Sequence, residues 1–262
     1  MAEIRNPARE RLAAGELSLG MGVRHTRNVE ICKAARAVGF DWLFVDLEHS
    51  SLSVETAQQI CATALDAGIA PLVRVPEGDN ALAVRLLTGG ALGTVMPHVD
   101  TADEARAIVD QQRFPPVGHR GSGGVTVHFD FQRVPHEEAT RLMNENSLLV
   151  VMLESRKAIA NADEIAAVEG VDVLMIGTGD LTAELGIHGS PDHPDIVSAY
   201  ETVTAACKAH GKWCGTGGIG AGEVIARYVE MGVRFILAGG DLNFLLQAAR
   251  ARTEFFRGLS VT

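Results

Sequence analysis

Eight short apolar runs punctuate the chain: residues 17–23 (LSLGMGV), 42–47 (WLFVDL), 70–75 (APLVRV), 92–97 (LGTVMP), 148–153 (LLVVML), 172–177 (DVLMIG), 212–217 (KWCGTG) and 234–239 (RFILAG). Most are apolar at consecutive positions rather than at alternate ones. That is the pattern of parallel strands covered on both faces. Between them lie amphipathic stretches of helical length. Ser53 is placed to cap a helix whose Ile60, Cys61, Ala64 and Leu65 share one face, with Gly68 to end it. Asp79 can cap a helix through Leu82, Leu86 and Leu87. Thr101 and Glu104 have capping-box spacing. Ser155 precedes a helical stretch, RKAIANADEIAAV, and a last helix is expected from about Asn243 to Arg257. Eight strand–helix units in 262 residues predict a single (β/α)8 TIM-type barrel over residues 1–262, with an open doubly wound sheet as the alternative. Residues 111–136 break the repeat with a long segment rich in Gly, Pro and His. A segment of that length in a compact domain is expected to be functional or mobile.

Composition narrows the function. Hydrophobic residues are 47% and charged residues 21%, which argues against disorder. A net charge of −10 makes a nucleic-acid surface an unpromising reading. No apolar run approaches the roughly 18 residues of a membrane span, and the polar start MAEIRNPARERLAAGE lacks the core of a signal peptide. Cys32, Cys61, Cys207 and Cys214 are scattered and read as reduced, buried thiols. A cytoplasmic protein acting on a small molecule, without nucleic acid or membrane partners, is the expectation.

In a parallel barrel the chemistry gathers where strands end. The second run ends Asp46-Leu47-Glu48-His49, and His49 suits proton transfer near neutral pH. Arg74 stands among apolar neighbours and needs an anion, either a buried carboxylate or a substrate. His98 follows the fourth run and reads equally as structural or catalytic. Glu154 and Asp180 follow consecutive strands. Two such carboxylates suit a hard divalent cation, or alternatively a glycosidase pair. The Gly177-Thr178-Gly179 turn offers backbone amides to a carboxylate or phosphate, without the lysine of a P-loop.

Six segments then resemble one family in order: 39–50 (GFDWLFVDLEHS), 71–79 (PLVRVPEGD), 93–105 (GTVMPHVDTADEA), 113–121 (RFPPVGHRG), 151–161 (VMLESRKAIAN) and 172–187 (DVLMIGTGDLTAELGI). They resemble the class II, metal-dependent pyruvate aldolases, the 4-hydroxy-2-oxoheptanedioate and 2-dehydro-3-deoxyglucarate aldolases, which are related to the citrate lyase β subunit. The resemblance implies a lyase that uses Mg²⁺, Mn²⁺ or Co²⁺ and no Schiff-base lysine. It implies metal binding by Glu154 and Asp180, pyruvate binding by Arg74, a base at His49, and a carboxylate cradle at Gly179 and Asp180. It further implies a hexamer, a trimer of dimers, in which the terminal helix packs on a neighbouring barrel. Apolar residues 244–246 and 254–256 fit that arrangement or packing on the chain's own barrel. Two positions depart from the pattern: Met152 stands where several relatives have Gln, and Thr88 where some have an Asp paired with the base. An acyl-CoA lyase, a 2-oxo acid decarboxylase and a non-catalytic binding barrel are the competing readings.

Overall fold

In the computed structural model, described over residues 3–121, 123 and 127–260, eight parallel strands close on themselves. They are β1 (Ser18–Val23), β2 (Trp42–Asp46), β3 (Ala70–Arg74), β4 (Gly93–Met96), β5 (Leu148–Leu153), β6 (Val173–Gly177), β7 (Trp213–Gly217) and β8 (Val233–Gly240). They follow one another round the barrel in chain order, and β8 pairs with β1. That closure excludes the open sheet.

The absence of alternation in the runs has a direct cause. Along β2, Trp42 and Phe44 enter the cluster inside the barrel, whereas Leu43 and Val45 join the layer under the helices. Val150 and Met152 of β5 face inward, while Leu149, Val151 and Leu153 face outward. Both faces are buried, so both are apolar. The same two-residue period aims Asp46, Arg74 and Glu154 inward, each two positions past Phe44, Leu72 or Met152, at the C-terminal mouth.

The N-terminal floor is sealed by apolar packing. The helix Pro7–Ala13 and the segment before it lay Ile4, Ala8 and Leu12 against the inner cluster, where Trp42 stacks on Phe235 with centroids 4.0 Å apart. The described part of 111–136 also lies here. It follows the helix Ala102–Gln112 rather than a strand, and its Phe114 and Phe129 pack into the inner cluster. Its expected functional role therefore has no support from position at the mouth; Ser122 and residues 124–126 lie outside the described residues.

The helix caps behave as their sequences predict. Ser53, Asp79, Thr101 and Ser155 each accept a first-turn amide, and the Thr101–Glu104 box is complete. The stretch after Ser155 is not one helix. It breaks at Asn161 into Arg156–Ala160 and Ala162–Ala166, and the Asn161 side chain donates to the Asp100 carbonyl. The last helix, Asp241–Arg257, buries none of its residues.

Candidate active site

Asp46 organises one side of the mouth. It is fully buried and lies in register with Arg74 on the adjacent strand. Arg74 Nε donates to Asp46 Oδ1 at 3.0 Å and Nη2 to Oδ2 at 2.6 Å. Arg74 Nη1 lies 2.9 Å from Glu48 Oε2, an ion contact without hydrogen-bond alignment. Arg24, just past β1, donates from Nε to Asp46 Oδ2 at 2.6 Å. The amides of Glu48 and His49 donate to Asp46 Oδ1, which bends the chain after β2. Burial works against the ionised form of Asp46. The Arg74 guanidinium, the His49 amide and Arg24 nevertheless hold its carboxyl below the usual carboxylate range. Of the two anions considered for Arg74, the buried carboxylate is thus present, and the guanidinium still faces the mouth. His49 stands with its imidazole half exposed and its Nε2 3.7 Å from Glu48 Oε2.

Glu154 lies past the end of β5, 3% exposed above Met152 in the apolar interior. It can lie across the end of β6 only because residue 177 is glycine: a Cβ there would stand 2.3 Å from Glu154 Oε1. The His98 amide donates to Glu154 Oε2 at 3.0 Å, and His98 Nδ1 lies 3.3 Å from the same oxygen. His98 adopts φ +52°, a left-handed conformation uncommon outside glycine, and so aims both groups at Glu154. Burial pushes the Glu154 carboxyl up to about 7; contact with His98 opposes this and the neighbouring Asp180 adds to it. Asp180 is exposed in the first turn of the helix Thr178–Glu184, which no side chain caps. Buried hydroxyls fix that turn: Thr178 Oγ1 lies 2.7 Å from Tyr200 Oη, which also bonds Thr216 of β7.

The donor set suits a divalent cation. Two carboxylates interact over an apolar floor, all-oxygen and free of cysteine, and each disfavours the other's charge unless a cation joins them. No group of three or more His, Cys, Asp or Glu side chains is arranged for a metal among the described residues. Water and substrate would supply the remaining ligands.

The structure therefore brings Arg74 near His49 through Glu48, and Glu154 near Asp180, as the sequence suggested. It separates Thr88 from His49. The helix Asn80–Thr88 descends from β3 to the floor, where Thr88 Oγ1 donates to Val84 and receives a 3.4 Å contact from Arg120. An acid at position 88 could not orient the imidazole of its own chain. Sequence reasoning missed the central position of Asp46 and all of Arg24. The one available signal for Asp46 was its place two residues beyond an inward-facing Phe44.

A closed barrel with an arginine and two carboxylates at its strand ends is compatible with an aldolase-type lyase, and the comparison with known proteins gives the class. Residues 25–248 match the HpcH/HpaI aldolase/citrate lyase family, and the chain belongs to it. The chain is 38% identical to the 4-hydroxy-4-methyl-2-oxoglutarate aldolase of Hapsidospora irregularis, over 95% of this chain and 94% of that one. It is 33% identical to the 4-hydroxy-2-oxo-heptane-1,7-dioate aldolase of Salmonella typhimurium LT2, over 97% and 95%. The crystal structure of an HpcH/HpaI aldolase from Desulfitobacterium hafniense DCB-2 superposes with a TM-score of 0.90 at 30% identity, covering 96% of this chain and 97% of that one. The protein is an aldolase, a carbon–carbon lyase.

Proposed function

We propose that the protein cleaves a 4-hydroxy-2-oxo acid between C3 and C4, giving pyruvate and a carbonyl compound. The observation that carries this reading is the convergence of the Asp46-held Arg74 and the Glu154–Asp180 pair at one barrel mouth. Glu154 and Asp180 would hold Mg²⁺, Mn²⁺ or Co²⁺, which when bound would supply positive charge where the enolate develops. The uncapped amides of Gly179 and Asp180 receive the substrate carboxylate. Arg74, fixed by two carboxylates, faces the 2-oxo oxygen without having to reorganise as charge grows there. His49 takes the proton of the C4 hydroxyl, with Glu48 Oε2 3.7 Å from its Nε2. The C4 oxygen becomes a carbonyl, the C3–C4 electron pair moves to C2–C3 as an enolate, and protonation at C3 releases pyruvate.

The sequence-based partners and location form part of the same proposal. Phe244 of the last helix meets Phe40 of its own barrel, but Leu245, Leu246, Phe255 and Phe256 stay exposed, which supports a homohexamer built by this helix. No helix among the described residues is long and apolar enough to cross a membrane. Four free, buried cysteines support a reducing compartment, the cytoplasm.

Exchange of the pyruvate methyl protons in D₂O, followed by NMR, tests enolate formation without knowledge of the carbonyl partner. Exchange is expected with Mg²⁺ or Mn²⁺ and lost after EDTA. Undiminished exchange after exhaustive chelation, or a lysine adduct of pyruvate trapped by borohydride, would overturn the reading.

A further inference from the structure

A second guanidinium stands at the mouth with its terminal nitrogens unused. β1 presents Gly20 and Gly22 to the barrel interior, and Arg24 follows two residues later in the same inward phase. The Trp42 ring fills the space beside Gly20, while Gly22 borders a cavity of about 330 Å³ lined also by Arg24, Phe44, Gly218, Leu237 and Gly240 among others. Arg24 spends only Nε on protein, in its bond to Asp46 Oδ2. Among the described residues neither Nη has a hydrogen-bond partner. The side chain is 43% exposed. Its backbone is fixed: the amides of Arg24, His25 and Thr26 all donate to the Asp241 carboxylate. The opposite wall of the cavity reaches the substrate cradle, since a Cβ on Gly218 would stand 3.1 Å from the Gly179 amide nitrogen. An acid with one carboxylate at Gly179–Asp180 thus extends toward Arg24.

We propose that Arg24 binds a second, distal carboxylate of the substrate, so that the protein selects dicarboxylic 4-hydroxy-2-oxo acids over monocarboxylic ones. This rests on the aldolase reading above. Three features carry it. A guanidinium offers a planar pair of donors that matches a carboxylate edge-on. Asp46 Oδ2 anchors Arg24 Nε and Arg74 Nη2 at 2.6 Å each, so the distance between the two cations is set by one side chain. The charges of Asp46 and Glu48 are balanced by those of Arg24 and Arg74, and the carboxylate of Asp241, which also lines the cavity, is taken up by the amides of Arg24, His25 and Thr26.

The test compares two substrates of equal chain length, 4-hydroxy-2-oxoglutarate and 4-hydroxy-2-oxopentanoate, in the wild type, Arg24→Met and Arg24→Lys. The wild type is expected to favour the dicarboxylate in kcat/KM. In Arg24→Met that preference should fall on the order of 30-fold or more, the scale of one charge-assisted pair, mainly through KM. Arg24→Lys should recover part of it. An equal fall for both substrates would reduce Arg24 to a support for Asp46, and an unchanged ratio would remove it from recognition; either result overturns the proposal. Pyruvate proton exchange by the wild type separates the two levels. If the wild type exchanges but the ratio does not move, only the Arg24 assignment fails; if it does not exchange, the aldolase reading fails first. Thermal unfolding of each variant confirms that the comparison is made between folded proteins.

Discussion

Arg74 at the mouth and Arg113 at the floor are equally shielded from water, yet their partners differ in kind. Arg113 donates to the carbonyls of Asn144, Ser147 and Gly170 and to the Ser147 hydroxyl, and it pairs with Asp172. Its donors are spread over backbone that needs acceptors satisfied, so it ties loops together. Arg74 lies over the Phe44 ring, and its polar partners among the described residues are the side-chain carboxylates of Asp46 and Glu48, where the strands end. A buried arginine is therefore no functional marker by itself. What distinguishes the two is the end of the barrel they occupy and whether backbone or ionised side chains surround them.

The comparison can be broken at several points. The largest effect is expected from the carboxylate pair: Glu154→Gln and Asp180→Asn should each abolish cation-dependent pyruvate exchange while circular dichroism remains that of a folded barrel. Retained turnover in both variants would detach this pair from the chemistry. His49→Ala should slow carbon–carbon cleavage by about 10²–10⁴-fold, the range for a general base. Single-turnover cleavage is the measurement, and a rate near that of the wild type would make His49 a bystander.

The two arginines should then part company. Arg74→Lys should lower kcat by about 10²-fold, because an ammonium cannot reproduce the planar fork. Arg113→Met should leave kcat within about twofold and lower stability by about 3–5 kcal/mol, as removal of one partner from a buried ion pair does. Urea titrations alongside kinetics would show the crossing pattern, and a shared pattern would erase the distinction drawn here.

The smallest expected effect concerns pH. His128, at the floor, donates from Nε2 to the Ala91 carbonyl, and its Nδ1 has no partner. Burial pushes its pKa down from 6.5 to about 4, with Arg120 adding to the effect. As pH falls through 6.5, the unfolded chain takes up a proton that the folded one refuses. Stability should therefore decline down to about pH 4, by up to about 3 kcal/mol. Asp46 acts in the same sense but at lower pH, because its pKa is also lowered in the folded protein. Its lowered pKa keeps its contribution intact above the ordinary carboxylate value, and that contribution is lost only as pH falls through the folded value. The floor should weaken before the mouth. His128→Gln should flatten the decline between pH 6.5 and 4; an unaltered slope in chemical denaturation would assign it to other groups.

Much of this architecture is legible in the chain. The eight runs coincide with the eight strands to within a residue or two, because parallel strands buried on both faces leave uninterrupted apolar letters. Ser53, Asp79, Thr101 and Ser155 announce helix starts through chemistry local to a few residues. The nearness of Glu154 and Asp180 was legible because they follow consecutive parallel strands. The pairing of Asp46 with Arg74 and Arg24 was not. It depends on strand register across 28 and 22 positions, and register leaves no trace in either segment alone. The separation of Thr88 from its own chain's His49 was hidden for a related reason: an alignment position says nothing about which end of the barrel a helix reaches. The long segment at 111–136 reads as functional or mobile from its length alone, and length does not say which end of the barrel it lies at; its place after a helix puts its described part at the floor.

The final helix has a consequence for how the protein should behave on dilution. Asp241 and Phe244 tie its first turn to the chain's own barrel, but none of its seventeen residues is buried, and an isolated helix of that length is marginal in water. In the assembly proposed above, its order becomes a property of the collection of chains rather than of one. The unfolding midpoint should climb with protein concentration by mass action, and the helix should be the first segment to exchange its amides as the solution is thinned.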